Sequence, residues 1–306
     1  MENQKIPLYK IRSFGQKIGD TFGFVSENFK PLLKYTFLLL LPVALVMGLA
    51  MYGYANGLAL MSKQMAKNGD ATVDEVMDFV MSVGGIFLLA VLGYTLLYSI
   101  VYGLMRVYGE RENGLKNLVW SEFKPTFLRM LGRTVKLAIF WVLFAILLVA
   151  ALVSVVAFGV KEFGFVALIP IYAVLIAVLV PLSLMAPIYL FEDDATLITS
   201  LTKSLRLGFK TWGGIFAVTI VLSLIVGLVA GIVSLPWTIA LVMKSMFVAT
   251  GGGDGFSETL IFNIVLYLLS VLQAFVSFLC YSVPIIGLAY QYGHAVEKIE
   301  KTNLVL

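Results

Sequence analysis

Residues 211–243 read TWGGIFAVTIVLSLIVGLVAGIVSLPWTIALVM, a stretch of 33 residues that contains no Asp, Glu, Lys or Arg. A helix needs only about 20 apolar residues to cross the hydrocarbon layer of a bilayer. Five further charge-free intervals of at least 24 residues occur: 35–62, 79–105, 137–160, 163–191 and 259–296. Because lipid offers no partner to unpaired backbone N–H and C=O groups, these intervals predict six transmembrane helices.

Composition agrees with that prediction. The chain is 60% apolar and 13% charged, whereas about 25% of the residues in a soluble domain are charged. We therefore predict an all-α polytopic membrane protein with a single membrane domain, 1–306. Its predicted spans are about 35–57, 80–105, 137–159, 165–190, 213–236 and 260–290. The basic segment before the first interval is too long for a signal peptide, so we expect that interval to remain in the mature protein.

The basic residues fall mainly in alternate loops. Segments 1–34, 106–136, 203–210 and 298–301 hold 18 of the 22 Lys and Arg residues. Basic residues in short loops stay on the cytoplasmic side of the membrane. We therefore expect both termini in the cytoplasm and the spans in a bacterial cytoplasmic (inner) membrane. The net charge of +4 then reflects membrane topology, and no nucleic-acid partner is expected.

Each odd-numbered span follows a segment with apolar residues spaced three and four apart. The apolar positions are Ile11, Phe14, Ile18, Phe22, Val25 and Phe29, then Val119, Phe123, Phe127 and Met130, then Leu197, Leu201, Leu205 and Phe209. Basic residues occupy the other faces. This pattern predicts three interfacial amphipathic helices in the headgroup layer.

The basic faces of these helices predict contacts with membrane lipids, especially with anionic headgroups. The candidate contacts are Arg12, Lys30, Lys34, Lys124, Arg129, Arg133, Lys203, Arg206 and Lys210. A protein partner on the same cytoplasmic face is a further expectation. The acidic triplet 192–194 precedes the third helix, expected at 195–209, and is expected to lie at its positive N-terminus.

Two short strings favour an internal repeat. Phe29-Lys30-Pro31 leads into the first span, and Phe123-Lys124-Pro125 approaches the third, with each proline expected at a junction between helices. We interpret the chain as three copies of an interfacial helix followed by a transmembrane hairpin, at 10–108, 117–191 and 195–293. The outward loops include a tight turn around Lys161 and Glu162.

The spans lack the side chains that intramembrane chemistry requires. No Asp, Glu, Lys or Arg lies inside them, although such a residue within a span is a functional hypothesis by default. Cys280 and His294 are single residues of their types and supply no converging ligand set. We therefore expect a non-enzymatic protein without catalytic residues, a metal site or a cofactor.

Small residues recur at every fourth position of the fifth span. They are Ser223, Gly227 and Gly231. Such a stripe lets another helix approach closely, so we predict a helix-packing surface here. The packing helix would come either from this chain or from a second subunit.

The region from Ala195 to Pro236 combines a short helix with an apolar run. It carries Ser200-Leu201, Ser204-Leu205, Trp212 and Ile215-Phe216, and the N-terminal region carries Arg12-Ser13-Phe14, Asn28-Phe29 and Leu32-Leu33. This pattern resembles the membrane domain of bacterial glycerophosphodiester phosphodiesterases and related uncharacterised six-span bacterial membrane proteins. In that family the hydrolase activity belongs to a separate soluble barrel. The resemblance therefore implies a membrane module and not a phosphodiesterase.

Two functions follow from these observations. The first is a non-enzymatic membrane protein that binds or helps to move lipid or amphipathic molecules, or that scaffolds a membrane complex. The alternative is a transporter or permease subunit that works with a separate partner ATPase, which would dock on a cytoplasmic helix such as 195–209.

Overall fold

The computed structural model of the chain describes residues 5–66, 72–163, 168–250 and 259–301. These ranges form nine α-helices and contain no strand. The helices are α1 (Phe14–Glu27), α2 (Phe29–Ala66), α3 (Val73–Glu110), α4 (Trp120–Phe163), α5 (Leu168–Leu182), α6 (Met185–Phe191), α7 (Leu197–Lys210), α8 (Trp212–Ala249) and α9 (Leu260–Val296), and α9 continues into a π-helical turn, Glu297–Lys301. Six segments are long and apolar enough to cross a membrane. The predicted all-α multi-pass membrane architecture is confirmed.

Several helices run further than their predicted spans. α4 is continuous from Trp120 to Phe163, so the second amphipathic segment is the first part of a spanning helix. Pro125 was expected at a junction, but it lies inside α4, in its second turn, where proline removes one backbone donor without ending the helix. The turn predicted at Lys161 and Glu162 is helical backbone. α8 likewise passes Lys244 and ends at Ala249.

The first and third amphipathic segments form separate helices. α1 begins with a capping box, in which Ser13 and Gln16 exchange side-chain and backbone hydrogen bonds. It ends at Asn28, whose side chain donates to the Phe24 carbonyl at 3.0 Å. α7 begins with a second capping box between Thr196 and Thr199. These side chains satisfy terminal backbone groups that otherwise need water, so each helix can start and stop without a long loop.

Contact density divides the chain into two compact units. Unit 1 comprises 1–32, 98–223 and 283–306, and unit 2 comprises 33–97 and 224–282. Helices α2, α3, α8 and α9 contribute residues to both units. The threefold repeat at 10–108, 117–191 and 195–293 stays a prediction.

Unit 2 buries one charged side chain. Lys244 is buried, and its Nζ donates to Oδ1 of Asn263 at 3.0 Å. The same ammonium lies 5.1 Å from the centre of the Tyr52 ring. A hydrogen bond and a cation–π contact offset part of the cost of burying this charge.

Unit 1 contains a close contact between α5 and α7. A Cβ added at Gly208 would lie 2.5 Å from Cα and 2.9 Å from the carbonyl oxygen of Pro181. Only glycine therefore lets the two backbones approach so closely. A buried cluster of Leu184, Ile188, Leu207 and Ile215 lies beside this contact and fixes the end of α7.

Two apolar surfaces remain open within the described residues. No residue in the most apolar 18-residue stretch of the α4 span is buried, as expected where lipid surrounds a helix. Ser223, Gly227 and Gly231 are also exposed. Across the described ranges, no atom of another helix lies within 4 Å of a Cβ placed at Gly227 or Gly231. Packing of a second subunit against this stripe stays a prediction.

The Gly208 contact gives a stability prediction. Gly208→Ala would place a methyl group against the Pro181 backbone, which cannot move away as a side chain can, and should lower the free energy of unfolding by about 2 kcal/mol. Gly132→Ala is the matched control, because nothing lies within 4 Å of a Cβ there. Fluorescence-detected size exclusion after heating should show an earlier loss of the Gly208→Ala peak only. Equal melting of the two variants would contradict the contact.

Candidate functional site

The clearest polar constellation of unit 1 is an ion-pair network that we call the charge network. It contains Arg106, Arg129, Glu192, Asp193, Lys203, Arg206 and Glu300. Its first part joins α3, α4 and the segment after α6. Arg106 donates Nη1 and Nη2 to the two carboxylate oxygens of Asp193, each at 2.7 Å, and Arg129 lies 2.7 Å from Oδ1 of the same residue. A bidentate guanidinium–carboxylate pair fixes distance and orientation together.

The side chain of Arg133 binds the backbone of the same segment. Its guanidinium donates to the carbonyl oxygens of Tyr189, Glu192, Asp193 and Ala195. The carbon of the guanidinium also lies 4.4 Å from the centre of the Tyr189 ring. Carbonyls in the last turn of a helix lack helical partners, and Arg133 on α4 supplies a donor to one of them, Tyr189, and to three carbonyls that follow α6.

The second part of the charge network joins α7 to the segment after α6 and to the π-helical turn that follows α9. Lys203 contacts Glu192 at 2.8 Å and Glu300 at 3.1 Å, and Arg206 contacts Glu300 at 2.7 Å. Tyr292 on α9 donates its hydroxyl to Oε1 of Glu192 at 2.6 Å. Three acidic groups therefore serve as shared acceptors for side chains from α3, α4, α7 and α9.

The charges in the network shift each other's proton affinity. Hydrogen bonding from Arg106, followed by the charges of Arg106 and Arg129, lowers the pKa of Asp193 to about 2 in spite of partial desolvation. Burial alone would lower the pKa of Lys203, but the hydrogen bonds and charges of Glu192 and Glu300 raise it above its ordinary value. Asp193 and Lys203 are therefore both ionised at neutral pH.

The N-terminal segment packs against α9 in the same unit. Arg12 is buried and its Nε donates to Oδ2 of Asp20 at 2.7 Å. The same guanidinium donates to the carbonyl oxygens of Leu8, Lys10 and Pro7. The backbone N–H of Arg12 donates to Nδ1 of His294 at 3.0 Å. This arginine closes residues 7–12 into a fixed turn at the end of α9.

These contacts separate the predicted headgroup residues into two groups. Internal partners hold Arg12, Arg129, Arg133, Lys203 and Arg206. The other four, Lys30, Lys34, Lys124 and Lys210, are exposed and form no ion pair with any residue that the structure describes, whereas Arg129 and Arg206 are exposed but paired. Of the four lysines, Lys34 lies over the Tyr35 ring. Headgroup contact stays a prediction for all nine, and the four lysines are best placed to make it.

α1 buries a mainly polar face, which the amphipathic pattern predicts to be exposed. Lys17, Thr21, Phe24 and Asn28 are buried, at spacings of three and four residues. Of the predicted apolar positions, Phe14 and Phe22 on α1 are exposed, as are Ile11 before the helix and Phe29 after it, whereas Ile18 and Val25 are half-buried. α1 therefore turns a mainly polar stripe inward and an apolar stripe outward.

The pairing of the acidic triplet was missed by the sequence argument. Residues 192–194 precede α7, as predicted, but Asp193 is also bound by Arg106 from α3 and Arg129 from α4, and Glu192 by Lys203 from α7 and Tyr292 from α9. The arginine partners lie 60 or more residues away in the chain, so no local spacing indicates the contact. Only the i, i+4 spacing of Arg129 and Arg133 on α4 hints that both reach one target.

An open cavity borders the charge network. Its volume is about 470 Å³, and its lining includes Ile188, Glu192, Asp193, Thr199 and Lys203. A second cavity of about 180 Å³ lies between the N-terminal segment, Phe24, Tyr108 and Tyr290. Among the residues that the structure describes, no three His, Cys, Asp or Glu side chains converge as metal ligands would.

No protein-family model, curated protein or solved structure matches this chain. The resemblance to the membrane domain of glycerophosphodiester phosphodiesterases therefore stays a prediction.

Arg133 gives a first test of the site. Arg133→Gln removes the donors for the carbonyls after α6, and charge-assisted hydrogen bonds contribute about 1.5–3 kcal/mol each. We expect thermal unfolding to occur several degrees lower. Lys136→Gln, which removes the same charge from an exposed position on α4, should leave the melting temperature unchanged. If both variants melt like the parent, Arg133 does not hold the segment.

Asp193 gives a pH-dependent test. Since its folded-state pKa is lowered from 3.8 to about 2, its contribution to stability should be complete above about pH 4 and should be lost as the pH falls toward 2. Asp193→Asn should lower the melting temperature at neutral pH. It should also reduce the loss of stability that occurs as the pH falls from about 4 to about 2. Melting temperatures measured between these pH values provide the readout. If Asp193→Asn loses as much stability as the parent over this pH range, other carboxylates cause the loss.

Proposed function

We propose that the protein binds lipids with anionic headgroups at one surface of a bacterial inner membrane, with its N- and C-terminal ends on the cytoplasmic side. It would act without catalysis, as a lipid-binding module that helps to move lipid or amphipathic molecules or that scaffolds a membrane complex. The observation that carries this proposal is the outward apolar stripe of α1.

The α1 stripe has the chemistry of a helix that lies in the headgroup layer. Phe14 and Phe22 of α1 are exposed, as are Ile11 just before the helix, which is 59% exposed, and Phe29 just after it. A row of exposed aromatic side chains on a folded helix is unfavourable in water, whereas the headgroup–acyl boundary accommodates it. Lys17 and Thr21, which could otherwise face water, are buried in unit 1 instead.

α7 repeats this arrangement on a smaller scale. Its buried residues are Ser200, Ser204, Leu207 and Gly208, so it packs through small side chains. Ile198 is 74% exposed and Phe209 is 55% exposed, and they lie on one outward edge of the helix. α7 therefore also offers apolar side chains to a surrounding layer rather than to the core.

Exposed lysines accompany both helices. Lys30 follows α1, Lys210 ends α7, and both are exposed without an ion pair among the described residues. A basic residue near an anionic membrane surface contributes about 1 kcal/mol of attraction. The apolar edges would anchor the helices at the surface, and the lysines would select lipids of negative charge.

A lipid-exchange measurement tests this proposal. In nanodiscs of equal parts phosphatidylglycerol and phosphatidylcholine, native mass spectrometry should detect retained phosphatidylglycerol on the parent chain. The double variant Lys30→Glu with Lys210→Glu should lower that retention by about tenfold or more, because two attractive charges become repulsive. Phosphatidylcholine retention should stay the same.

The matched control is Lys116→Glu. Lys116 is exposed in the α3–α4 loop, so its reversal changes net charge without touching either amphipathic helix. Equal phosphatidylglycerol loss in control and double variant would indicate a net-charge effect only. Retention unaffected by the double variant would count against lipid selection by these helices. Co-purification with an ATPase, together with substrate flux in liposomes, would favour the transporter alternative instead.

A further inference from the structure

A group of buried polar atoms in unit 1 has no role in the charge network. Gln291 on α9 is 0% exposed, and Lys17 on α1 is 5% exposed. Both reach the first turn of α8. A Cβ added at Gly214 would lie 3.2 Å from Nε2 and 3.4 Å from Oε1 of Gln291, and 3.4 Å from Nζ of Lys17. Three elements therefore bring an amide and an ammonium to one point.

The amide of Gln291 has no partner there. Neither Nε2 nor Oε1 makes a hydrogen bond with any residue that the structure describes. Leaving buried polar atoms unsatisfied is costly, and such atoms in a folded protein call for a physical explanation. A buried amide with two free polar atoms is therefore available to bind a polar ligand.

The ammonium of Lys17 also lacks a counter-ion. Within the described ranges it forms no ion pair, and its charged neighbours Lys298 and Arg12 are cations. Arg12 already holds the nearby Asp20 carboxylate. Burial, followed by the charges of Lys298 and Arg12, lowers the pKa of Lys17 to about 8. An anion at this point would relieve both the repulsion and the desolvation.

The first turn of α8 supplies further donors. Trp212, Gly213 and Gly214 are its first three residues, whose backbone N–H groups have no carbonyl partner in the helix. Thr211, in the capping position, donates its hydroxyl back to the Leu207 carbonyl at 2.9 Å. A helix N-terminus attracts anions through its N–H groups and its dipole.

The site has a route to the outside. Gly213 is exposed, and nothing lies within 4 Å of a Cβ placed on it. Gly214 beside it has no side chain to cover Lys17 and Gln291. These two glycines therefore leave the first turn of α8 without side chains that would stand between an approaching anion and the two polar groups.

We propose that Lys17, Gln291 and the N-terminus of α8 form a binding site for a phosphate-type oxyanion, either free phosphate or the phosphate of a lipid headgroup. Lys17 supplies the positive charge, Gln291 donates through Nε2, and the N–H groups of the first turn of α8 bind the remaining oxygens. The site is buried and separate from exposed Lys30 and Lys210, so it stands independently of the proposed surface function.

Two binding arms identify the source of the phosphate. Delipidated parent protein in neutral detergent is titrated with sodium phosphate against sodium chloride at equal ionic strength. In parallel it is titrated with phosphatidic acid against diacylglycerol. A rise in melting temperature with phosphate identifies a free-ion site, and a rise with phosphatidic acid alone identifies a headgroup site. No rise in either arm overturns the proposal without requiring any variant.

Lys17→Met and Gln291→Leu locate the binding. Both replace a polar group by an apolar one of similar length, so each should melt at or above the parent temperature without anion, because an unsatisfied buried group is removed. Each should bind phosphate about tenfold more weakly or worse, since a charge-assisted or buried hydrogen bond is lost. Lys116→Met, at an exposed loop position, should keep the parent response.

Two results would contradict this assignment. One is a phosphate response in Lys17→Met equal to that of the parent, which would place the anion elsewhere. The other is a Lys17→Met protein that melts well below the parent without any anion, which would mean that the ammonium is a structural group held within the protein. If Lys17→Met does not fold, Gln291→Leu and the two binding arms still decide.

Discussion

The exclusion of charge from the hydrocarbon layer determines much of this structure. The six apolar spans cannot hold ionised side chains without a large cost, so nearly all charged residues lie at helix ends. Crowded there, they face one another at distances where opposite charges attract strongly. In unit 1 the result is a network in which Asp193 and Glu300 each accept from two basic residues, and Glu192 accepts from Lys203 and Tyr292.

The charge network also determines how the helix ends are placed against one another, which apolar packing alone does not determine. An apolar helix in lipid gains little by choosing one neighbour over another, because lipid tails are as apolar as its side chains. Arg133 and Arg106, in contrast, satisfy particular atoms of the segment after α6 in a fixed orientation. Directional donors of this kind set the register of α3, α4 and α7 at their charged ends.

The sequence was sufficient for the spans but not for the contacts between distant residues. Six charge-free intervals predict six helices because length and apolarity alone decide that question. Which face of α1 is buried could not be predicted, since the rule that apolar residues turn inward fails where lipid takes the place of water. Arg133 could not be separated from Lys124 either, because both are basic residues on one amphipathic helix. Their difference depends on the segment at 189–195, which lies far along the chain.

The basic side chains inside unit 1 differ in how completely their donors are satisfied. The donors of Arg12, which is buried, and of Arg133, which is half-buried, are satisfied by carboxylate or carbonyl oxygens, as expected for charges that serve only to hold a fold. Lys17 is buried just as deeply as Arg12 but faces other cations and an unsatisfied amide. Because unit 1 satisfies the guanidinium donors of Arg12 and Arg133, the unpaired ammonium of Lys17 has no comparable structural role there. Local violations of such rules concentrate at functional sites, which is why a ligand is the more economical explanation for Lys17 than a defect of packing.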